Sequence, residues 1–163
     1  MDLKYGILVV SDSVYSGEKE DVSGKLAKSV IEDKGYIVNK YTIIPNDYKL
    51  ILHKVLDLVK ECDVVIVIGG TGPSPRDISI DVIEKISWRA LPGFGEIFRY
   101  ITFKRHGFKA IYSRAGLYIV DKSAVIVTPG SPDAVKIALE IVLESIDHVI
   151  EEVRRVKGVH RKV

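Results

Sequence analysis

The sequence is short of cysteine and of long apolar runs, and each shortage excludes a class of protein. Cys62 is its single cysteine, so an internal disulfide framework or a cysteine-based zinc site is excluded, and a reducing compartment suits the chain. No apolar run approaches the roughly 20 residues of a membrane span, and the acidic start lacks the basic region of a signal peptide. We therefore expect a cytoplasmic protein without a membrane segment, in which Cys62 is a small buried hydrophobe.

Charge of one sign is not in excess either. The 24 basic and 22 acidic residues leave a net charge of +2, which predicts neither a nucleic-acid surface nor a membrane surface. Residues 154–163 are basic, and we expect them to form a solvated helix end and tail. The four histidines fall on helical or basic stretches, which argues against a Ser–His–Asp triad and covalent hydrolysis.

The length of 163 residues and the hydrophobic fraction of 47% predict one globular domain over residues 1–163. Four short segments rich in Val and Ile predict buried strands: Tyr5–Val10, Ile37–Ile44, Val64–Ile68 and Ala124–Thr128. Strands that are apolar on both faces belong to a covered, mostly parallel sheet. Apolar stripes of helical spacing lie between them, and a long one covers Ala134–Val153. This alternation predicts an α/β fold, a three-layer α/β/α sandwich with a mostly parallel sheet.

The middle of the chain, residues 89–118, is less regular. It mixes Gly, Pro, charge and aromatic residues, and the segment from Ala110 to Val120 resembles a strand that is interrupted at Gly116. The aromatic residues could be core, a subunit interface or a base-stacking surface, and core or interface is favoured. They are Phe94, Phe98, Tyr100, Phe103 and Phe108.

Each predicted strand ends in a polar loop, and ligands of open α/β sheets bind beyond the carboxyl ends of the strands. In chain order the loops read SDSVYSGEKEDVSG, PND, GGTGPSPRD and PGSP. The glycines of the third loop permit a close approach of backbone amides to an anion, and Pro73 and Pro75 stiffen it. The loop fits neither G-x-x-x-x-G-K-[ST] nor G-x-G-x-x-G. Since it has no lysine, the charge partner of an anion would be Arg76, Arg114 or Mg²⁺.

Carboxylates follow three of the predicted strands, as Asp12 and Asp21, Asp47, and Asp77. Each could simply cap a helix or be solvated, and Ser79 and Asp81 are expected at the cap and in the first turn of the next helix. Carboxylates from separate strand ends also suit Mg²⁺, which is usually bound by one or two carboxylates together with substrate phosphates. Together with the glycine amides they predict nucleotide or phosphate-ester chemistry.

These phrases, in this order and spacing, resemble the MoaB/MogA-like molybdopterin-binding family of molybdenum cofactor biosynthesis, and MoaB-type proteins most closely. They are SDS with EDVSG, PND, GGTGPSPRD, PGFGEIFR, SRA and PGSP. The resemblance implies a molybdopterin adenylyltransferase, in which the terminal phosphate of the pterin attacks the α-phosphate of Mg-ATP and pyrophosphate is released. It also implies a homotrimer or homohexamer and a downstream molybdate-insertion protein that receives the product.

The resemblance further implies catalytic roles and Mg²⁺ binding for Asp47 and Asp77, with Asp21 and Ser23 near the nucleotide. The other residues implied to bind ATP or molybdopterin are Ser11, Asp12, Ser13, Gly24, Gly69, Gly70, Thr71, Gly72, Ser113, Arg114, Pro129, Gly130 and Ser131. Which loop holds ATP and which the pterin stays open on the sequence alone, as does the choice between molybdenum and tungsten.

Two alternatives to an enzyme of this kind are a non-catalytic molybdopterin-binding or carrier protein with the same pocket and a flavodoxin-like flavin binder. Some family members that lack the activity have altered loop acids. Since Asp47 and Asp77 are both present, an active enzyme is favoured.

Overall fold

The computed structural model describes residues 2–155, so most of the expected basic tail, residues 156–163, lies outside the described residues. The strands are β1 (Lys4–Val10), β2 (Ile37–Ile44), β3 (Val64–Ile68), β4 (Arg89–Ala90), β5 (Gly116–Val120) and β6 (Ser123–Thr128). The α-helices are α1 (Asp12–Tyr15), α2 (Val22–Asp33), α3 (Tyr48–Glu61), α4 (Ser79–Ile86), α5 (Pro92–His106) and α6 (Pro132–Arg154). A 3₁₀ helix covers Gly107–Tyr112.

The six strands form one sheet in the order β2-β1-β3-β6-β5-β4. β2, β1, β3 and β6 pair in parallel, while β5 pairs antiparallel with both β6 and β4. Side chains of β1 alternate between two apolar clusters, with Tyr5 and Ile7 in one and Leu8 in the other. Helices α2, α5 and α6 cover the first cluster, and α3 and α4 cover the second. The predicted three-layer α/β sandwich with a mostly parallel sheet is therefore confirmed.

The predicted strand-like segment 110–120 is wrong in its first half. β5 begins only at Gly116, and the chain before it belongs to the 3₁₀ helix. Residues 113–115 do not pair with a strand, because the amide of Arg114 donates to the carbonyl of Thr71 at 2.9 Å. The Arg99 guanidinium also donates to the carbonyl of Ala115 at 3.2 Å. The glycine-containing loop at Thr71 and the side chain of Arg99 on α5 therefore occupy backbone groups of residues 113–115 that a longer β5 would have paired with another strand.

The aromatic residues of the middle segment divide between core and surface. Phe94 and Phe98 are buried, whereas Tyr100, Phe103 and Phe108 are exposed. Cys62 is buried as expected, and burial raises the pKa of its thiol. No helix within residues 2–155 is long and apolar enough to cross a membrane.

The strand order positions the ligand-binding edge. β1 lies between β2 and β3. The connection from β1 therefore leads to a strand on one side of it, and the connection from β2 leads to β3 on its other side. Such a reversal opens a crevice at the carboxyl ends of the two central strands. The loops that begin at Ser11 and Gly69 follow these strands, and the loop at Pro129 follows the neighbouring β6.

Candidate active site

The loops after β1, β3 and β6 meet at the carboxyl edge of the sheet. The amide of Gly69 donates to the carbonyl of Thr128 at 2.8 Å, which joins the ends of β3 and β6. The hydroxyl of Ser23 donates to the carbonyl of Gly130 at 2.6 Å, which joins the start of α2 to the loop after β6. The predicted loops are therefore brought together at one edge of the sheet.

Two cavities open between these loops. One, which we call the glycine-loop cavity, has a volume of about 630 Å³. Its wall includes the predicted site residues Gly70, Thr71, Gly72, Asp77, Ser113, Pro129, Gly130 and Ser131. The other, the β1-loop cavity, has a volume of about 740 Å³. Its wall includes the predicted Ser11, Ser13, Asp21, Ser23, Gly130 and Ser131. Five predicted site residues lie on neither wall: Asp12, Gly24, Asp47, Gly69 and Arg114.

Gly130 and Ser131 form a wall that the two cavities share. Ser131 is also the N-cap of α6, and its hydroxyl accepts a hydrogen bond from the amide of Ala134 at 3.3 Å. The positive end of this long helix therefore faces the junction of the cavities. Helix N-termini stabilise phosphates and other anions through free amides and the helix dipole.

Substitution of Ser131 by alanine should lower the free energy of unfolding by about 1 kcal/mol, because α6 loses its capping side chain. Urea unfolding followed by circular dichroism measures this change. Ser131→Asn is the matched control, since asparagine caps a helix as well as serine does. Equal losses in the two variants would show that the hydroxyl does not act as the cap.

The glycine loop, residues 69–77, has a shape that depends on two of its glycines. Gly70 has a φ of +74°, and a side chain there would collide with Ser79. At Gly72 an added Cβ would lie 2.6 Å from Asp77 Oδ2, well inside contact distance. The same Oδ2 accepts a hydrogen bond from the amide of Ser74 at 3.0 Å. The loop therefore folds back on itself, and Gly72 leaves the space in which the Asp77 carboxylate sits.

The expected capping role of Ser79 is wrong. α4 has Ile78 at its N-cap position, without a side-chain cap. Ser79 is instead fully buried, and its amide donates to the carbonyl of Gly70 at 3.2 Å. Gly70 lies so close to the Ser79 side chain that a Cβ at Gly70 would collide with the Ser79 hydroxyl oxygen. Asp81 does lie in the first turn of α4, as expected.

The guanidinium of Arg114 is fully engaged with the glycine loop and with Asp81. It donates to the carbonyl of Gly72 through Nε at 3.2 Å and to the carbonyl of Asp77 through Nη2 at 2.6 Å. Its Nη1 and Nη2 also donate to the two carboxylate oxygens of Asp81, at 2.9 and 3.1 Å. These contacts with Arg114 hold the pKa of Asp81 below its usual value. Arg114 thus already has a carboxylate partner.

Asp12, Asn46 and Arg76 connect the loops after β1, β2 and β3. Asp12 Oδ1 accepts a hydrogen bond from the amide of Asn46 at 2.8 Å, and Asp12 Oδ2 forms an ion pair with Arg76. The side-chain amide of Asn46 donates in turn to the carbonyl of Arg76. The backbone contact with Asn46 and the ion pair lower the pKa of Asp12. The second arginine that could have faced an anion is therefore paired as well.

Asp21 is a buried carboxylate with partners on both oxygens. Its Oδ1 caps α2 by accepting from the amide of Gly24 at 2.8 Å, and its Oδ2 accepts from the hydroxyl of Tyr41. Burial and this contact raise the pKa of Tyr41 above its usual value. Asp21 therefore lines the β1-loop cavity from a fixed position. Tyr41 helps to hold it there, and this role could not be predicted from the sequence because Tyr41 lies within strand β2.

Asp47 is the N-cap of α3, where its Oδ1 accepts from the amide of Leu50 at 2.9 Å. The helix-capping alternative is thus realised for Asp47, although its other oxygen accepts no hydrogen bond from residues 2–155. Within residues 2–155 no group of three or more His, Cys, Asp and Glu side chains could hold a metal ion. Mg²⁺ does not require such a group, because it takes one or two carboxylates together with phosphates and water.

Several residues on the wall of the glycine-loop cavity come from outside the strand-end loops. They are Phe98, Thr102, His106, Lys109 and Tyr112. His106 Nε2 lies 2.5 Å from Asp133 Oδ2, and this contact lowers the pKa of Asp133. Lys109 makes no ion pair with another residue of the described range 2–155, so its charge is available at the cavity. The phrase PGFGEIFR supported only the family resemblance and did not predict that α5 and the 3₁₀ helix line the site.

The fold and these cavities define a doubly wound α/β protein that binds ligands in the crevice at the carboxyl ends of its parallel strands. A model of the family described as "Probable molybdopterin binding domain" matches residues 6–148. The chain belongs to this family, and the predicted MoaB/MogA resemblance is confirmed.

The similarity extends over nearly the whole length of known relatives. The molybdenum cofactor biosynthesis protein B of Bacillus subtilis is 36% identical over 155 residues, which cover 93% of this chain and 90% of that protein. A molybdopterin adenylyltransferase of Helicobacter pylori is 36% identical, with 90% of this chain and 85% of the relative covered. The crystal structure of the tungsten cofactor synthesizing protein MoaB from Pyrococcus furiosus superposes with a TM-score of 0.86 at 34% identity, covering 94% of this chain and 98% of that one.

Proposed function

We propose that the protein is a molybdopterin adenylyltransferase of molybdenum cofactor biosynthesis. It would transfer the adenylyl group of Mg-ATP to the terminal phosphate of molybdopterin and release pyrophosphate. Relatives named molybdopterin adenylyltransferase at 36% and 35% identity support this activity. The structural observation that carries the proposal is the pair of adjoining cavities with a shared wall at Gly130 and Ser131.

A reaction between two phosphorylated substrates needs two binding cavities that adjoin where the phosphates react. We assign the nucleotide to the β1-loop cavity, because Asp21 and Ser23 line it and are the residues for which the family resemblance implies a role near the nucleotide. The pterin is assigned to the glycine-loop cavity. The reacting phosphates would then meet at Ser131, where the N-terminus of α6 stabilises their negative charge.

Catalysis of this in-line transfer would come from positioning and charge neutralisation, without a protein nucleophile. The side chains that support this assignment are already held in place. Asp21 has partners on both oxygens, and Ser23 is fixed to Gly130. Holding the two phosphates in a near-attack geometry removes much of the entropic part of the barrier. Lys109 would supply positive charge on the side of the pterin.

We propose Asp77 and Asp47 as the protein ligands of the Mg²⁺ that accompanies ATP. Asp77 lines the glycine-loop cavity, and its Oδ1 accepts no hydrogen bond from another described residue. Asp47 lies beside this loop, since its neighbour Asn46 donates to the carbonyl of Arg76. When bound, the ion would neutralise phosphate charge during the transfer.

The proposed activity is tested by incubating the protein with molybdopterin, ATP and Mg²⁺ and measuring pyrophosphate and adenylylated pterin. We expect both products, and neither in a control without Mg²⁺. Molybdopterin binding without products would instead support the non-catalytic carrier. A yellow purified protein with bound flavin would support the flavodoxin-like alternative.

We further propose that the protein assembles as a cytoplasmic homotrimer or homohexamer through an apolar patch on α5 and the 3₁₀ helix. This α5 patch consists of Ile97, Tyr100, Phe103, Phe108 and Ile111, all of which are exposed. Monomeric proteins rarely expose large contiguous apolar patches. A downstream molybdate-insertion protein would receive the product.

The double substitution Phe108→Glu and Ile111→Glu should shift the protein towards monomers, because charge in an apolar contact is costly to desolvate. Phe108 is 79% exposed and Ile111 72% exposed within the single chain, so the monomer itself should fold. Sedimentation velocity measures the change. Ile37→Glu, at an exposed position of edge strand β2, is the control. Unchanged sedimentation of the double variant would exclude the α5 patch as the interface.

A further inference from the structure

We propose that Arg114 is a positioning residue, anchored by Asp81, which holds the glycine loop in the shape that places Asp77 on the cavity wall. This inference rests on the proposed function, since it assigns Arg114 a part in the same reaction. It replaces the expectation that Arg114 binds a substrate. The guanidinium would act on the reaction through the loop and not by contact with a ligand.

The contacts of Arg114 span the loop from one end to the other. The backbone amide of Arg114 donates to the carbonyl of Thr71 at 2.9 Å. Its guanidinium reaches the carbonyls of Gly72 and Asp77, the two residues that flank the proline-containing turn. One side chain thus fixes both ends of the segment whose last residue is the proposed metal ligand.

The loop needs an outside donor because its own amides are few. Pro73 and Pro75 have no N–H. The amides of Ser74 and Asp77 are used within the loop, on Asp77 Oδ2 and on the carbonyl of Ser74. The carbonyls of Gly72 and Asp77 are therefore left to Arg114, whose planar fork can serve several acceptors at once.

Arg114 lines a hollow other than the glycine-loop cavity. Its neighbour Ser113 lines that cavity, whereas Arg114 does not. The guanidinium lies instead in a separate hollow that Glu84 and Tyr118 also line. Asp81 fixes it there from the first turn of α4 through a bidentate contact. Such charge-assisted paired hydrogen bonds are strong and directional, so the helix provides a rigid anchor for the loop.

The test compares Arg114→Lys and Asp81→Asn with wild type in steady-state kinetics and in amide hydrogen exchange of residues 72–77. Lysine keeps the charge but cannot serve the diverging acceptors. We expect a fall in kcat of about tenfold or more for Arg114→Lys, with KM for ATP and molybdopterin nearly unchanged, and faster exchange of the loop in both variants. Arg89→Lys is the matched control, since the exposed Arg89 guanidinium donates to the carbonyl of the adjacent Trp88 and lies over its ring, away from the glycine loop.

A double-mutant cycle separates positioning from general stability. If Arg114 acts through Asp77, Arg114→Lys should cost little further activity once Asp77→Asn is present. Additive losses in the double variant, or wild-type kcat with unchanged loop exchange in Arg114→Lys, would overturn the inference. Hydrogen exchange is measured without substrates. Absence of adenylylation by the wild-type protein would thus refute the proposed function, while the exchange test of the loop would still apply. If Arg114→Lys does not fold, Asp81→Asn takes its place in the comparison.

Discussion

Substitution of Asp77 by asparagine should lower the kcat of molybdopterin adenylylation by about a hundredfold or more while the fold is retained. Removal of one preorganised charge contact typically costs about 3–4 kcal/mol of transition-state stabilisation. Asparagine keeps the side-chain oxygen that accepts from the Ser74 amide, so the loop loses a charge but not its internal hydrogen bond. The same assay used for the wild type measures the effect.

The control for this experiment is Asp57→Asn on the solvent face of α3, where exposed Asp57 pairs with Lys60. We expect wild-type turnover for it, because exposed ion pairs contribute little. Circular dichroism should show the same helix content in both variants. Wild-type turnover of Asp77→Asn would mean that Asp77 neither holds Mg²⁺ nor contributes charge to the transition state.

Substitution of Gly72 by alanine should lower kcat by about a hundredfold, because a misplacement of about 1 Å at a reacting centre can have an effect of that size. The new methyl group would lie 2.6 Å from Asp77 Oδ2, so the carboxylate must move. Gly72 does not have a positive φ, and the backbone itself tolerates alanine. The loss should therefore come from Asp77 and not from a distorted loop.

Gly93→Ala is the matched control for this steric effect. A methyl group at Gly93, near the start of α5, would meet no atom within 4 Å. We expect full activity for Gly93→Ala and loss for Gly72→Ala, with similar thermal stability in both. Retained activity of Gly72→Ala would show that the carboxylate can shift without consequence for the reaction.

The central strands could be predicted because burial on both faces gives each an unbroken run of Val and Ile. β3 is buried at every position, Val64 to Ile68. β4 gave no such signal, since it has two residues, Arg89 and Ala90, and both are exposed. Ser79 looked like a cap in the sequence, but the glycine loop that precedes α4 folds back so that Gly70 lies against the Ser79 side chain.

The strand-end loops could be predicted as one site because a parallel sheet gathers the carboxyl ends of its strands at one edge. His106 and Lys109 could not, since they reach the cavity through the packing of α5 and the 3₁₀ helix beside α6. For Arg114 the sequence shows a positive charge but not which groups the guanidinium contacts. Only the three-dimensional contacts reveal that the fork faces Gly72 and Asp81.

Because Gly130 and Ser131 belong to both cavities, a molecule that joins the two substrates through their phosphates would be held at both ends. Binding of its second half would be intramolecular, and the resulting effective concentration raises affinity far above that of either half. Affinity differences between related ligands lie mostly in the rate of dissociation. On the proposed assignment of the two substrates, the adenylylated product would therefore dissociate more slowly than either substrate.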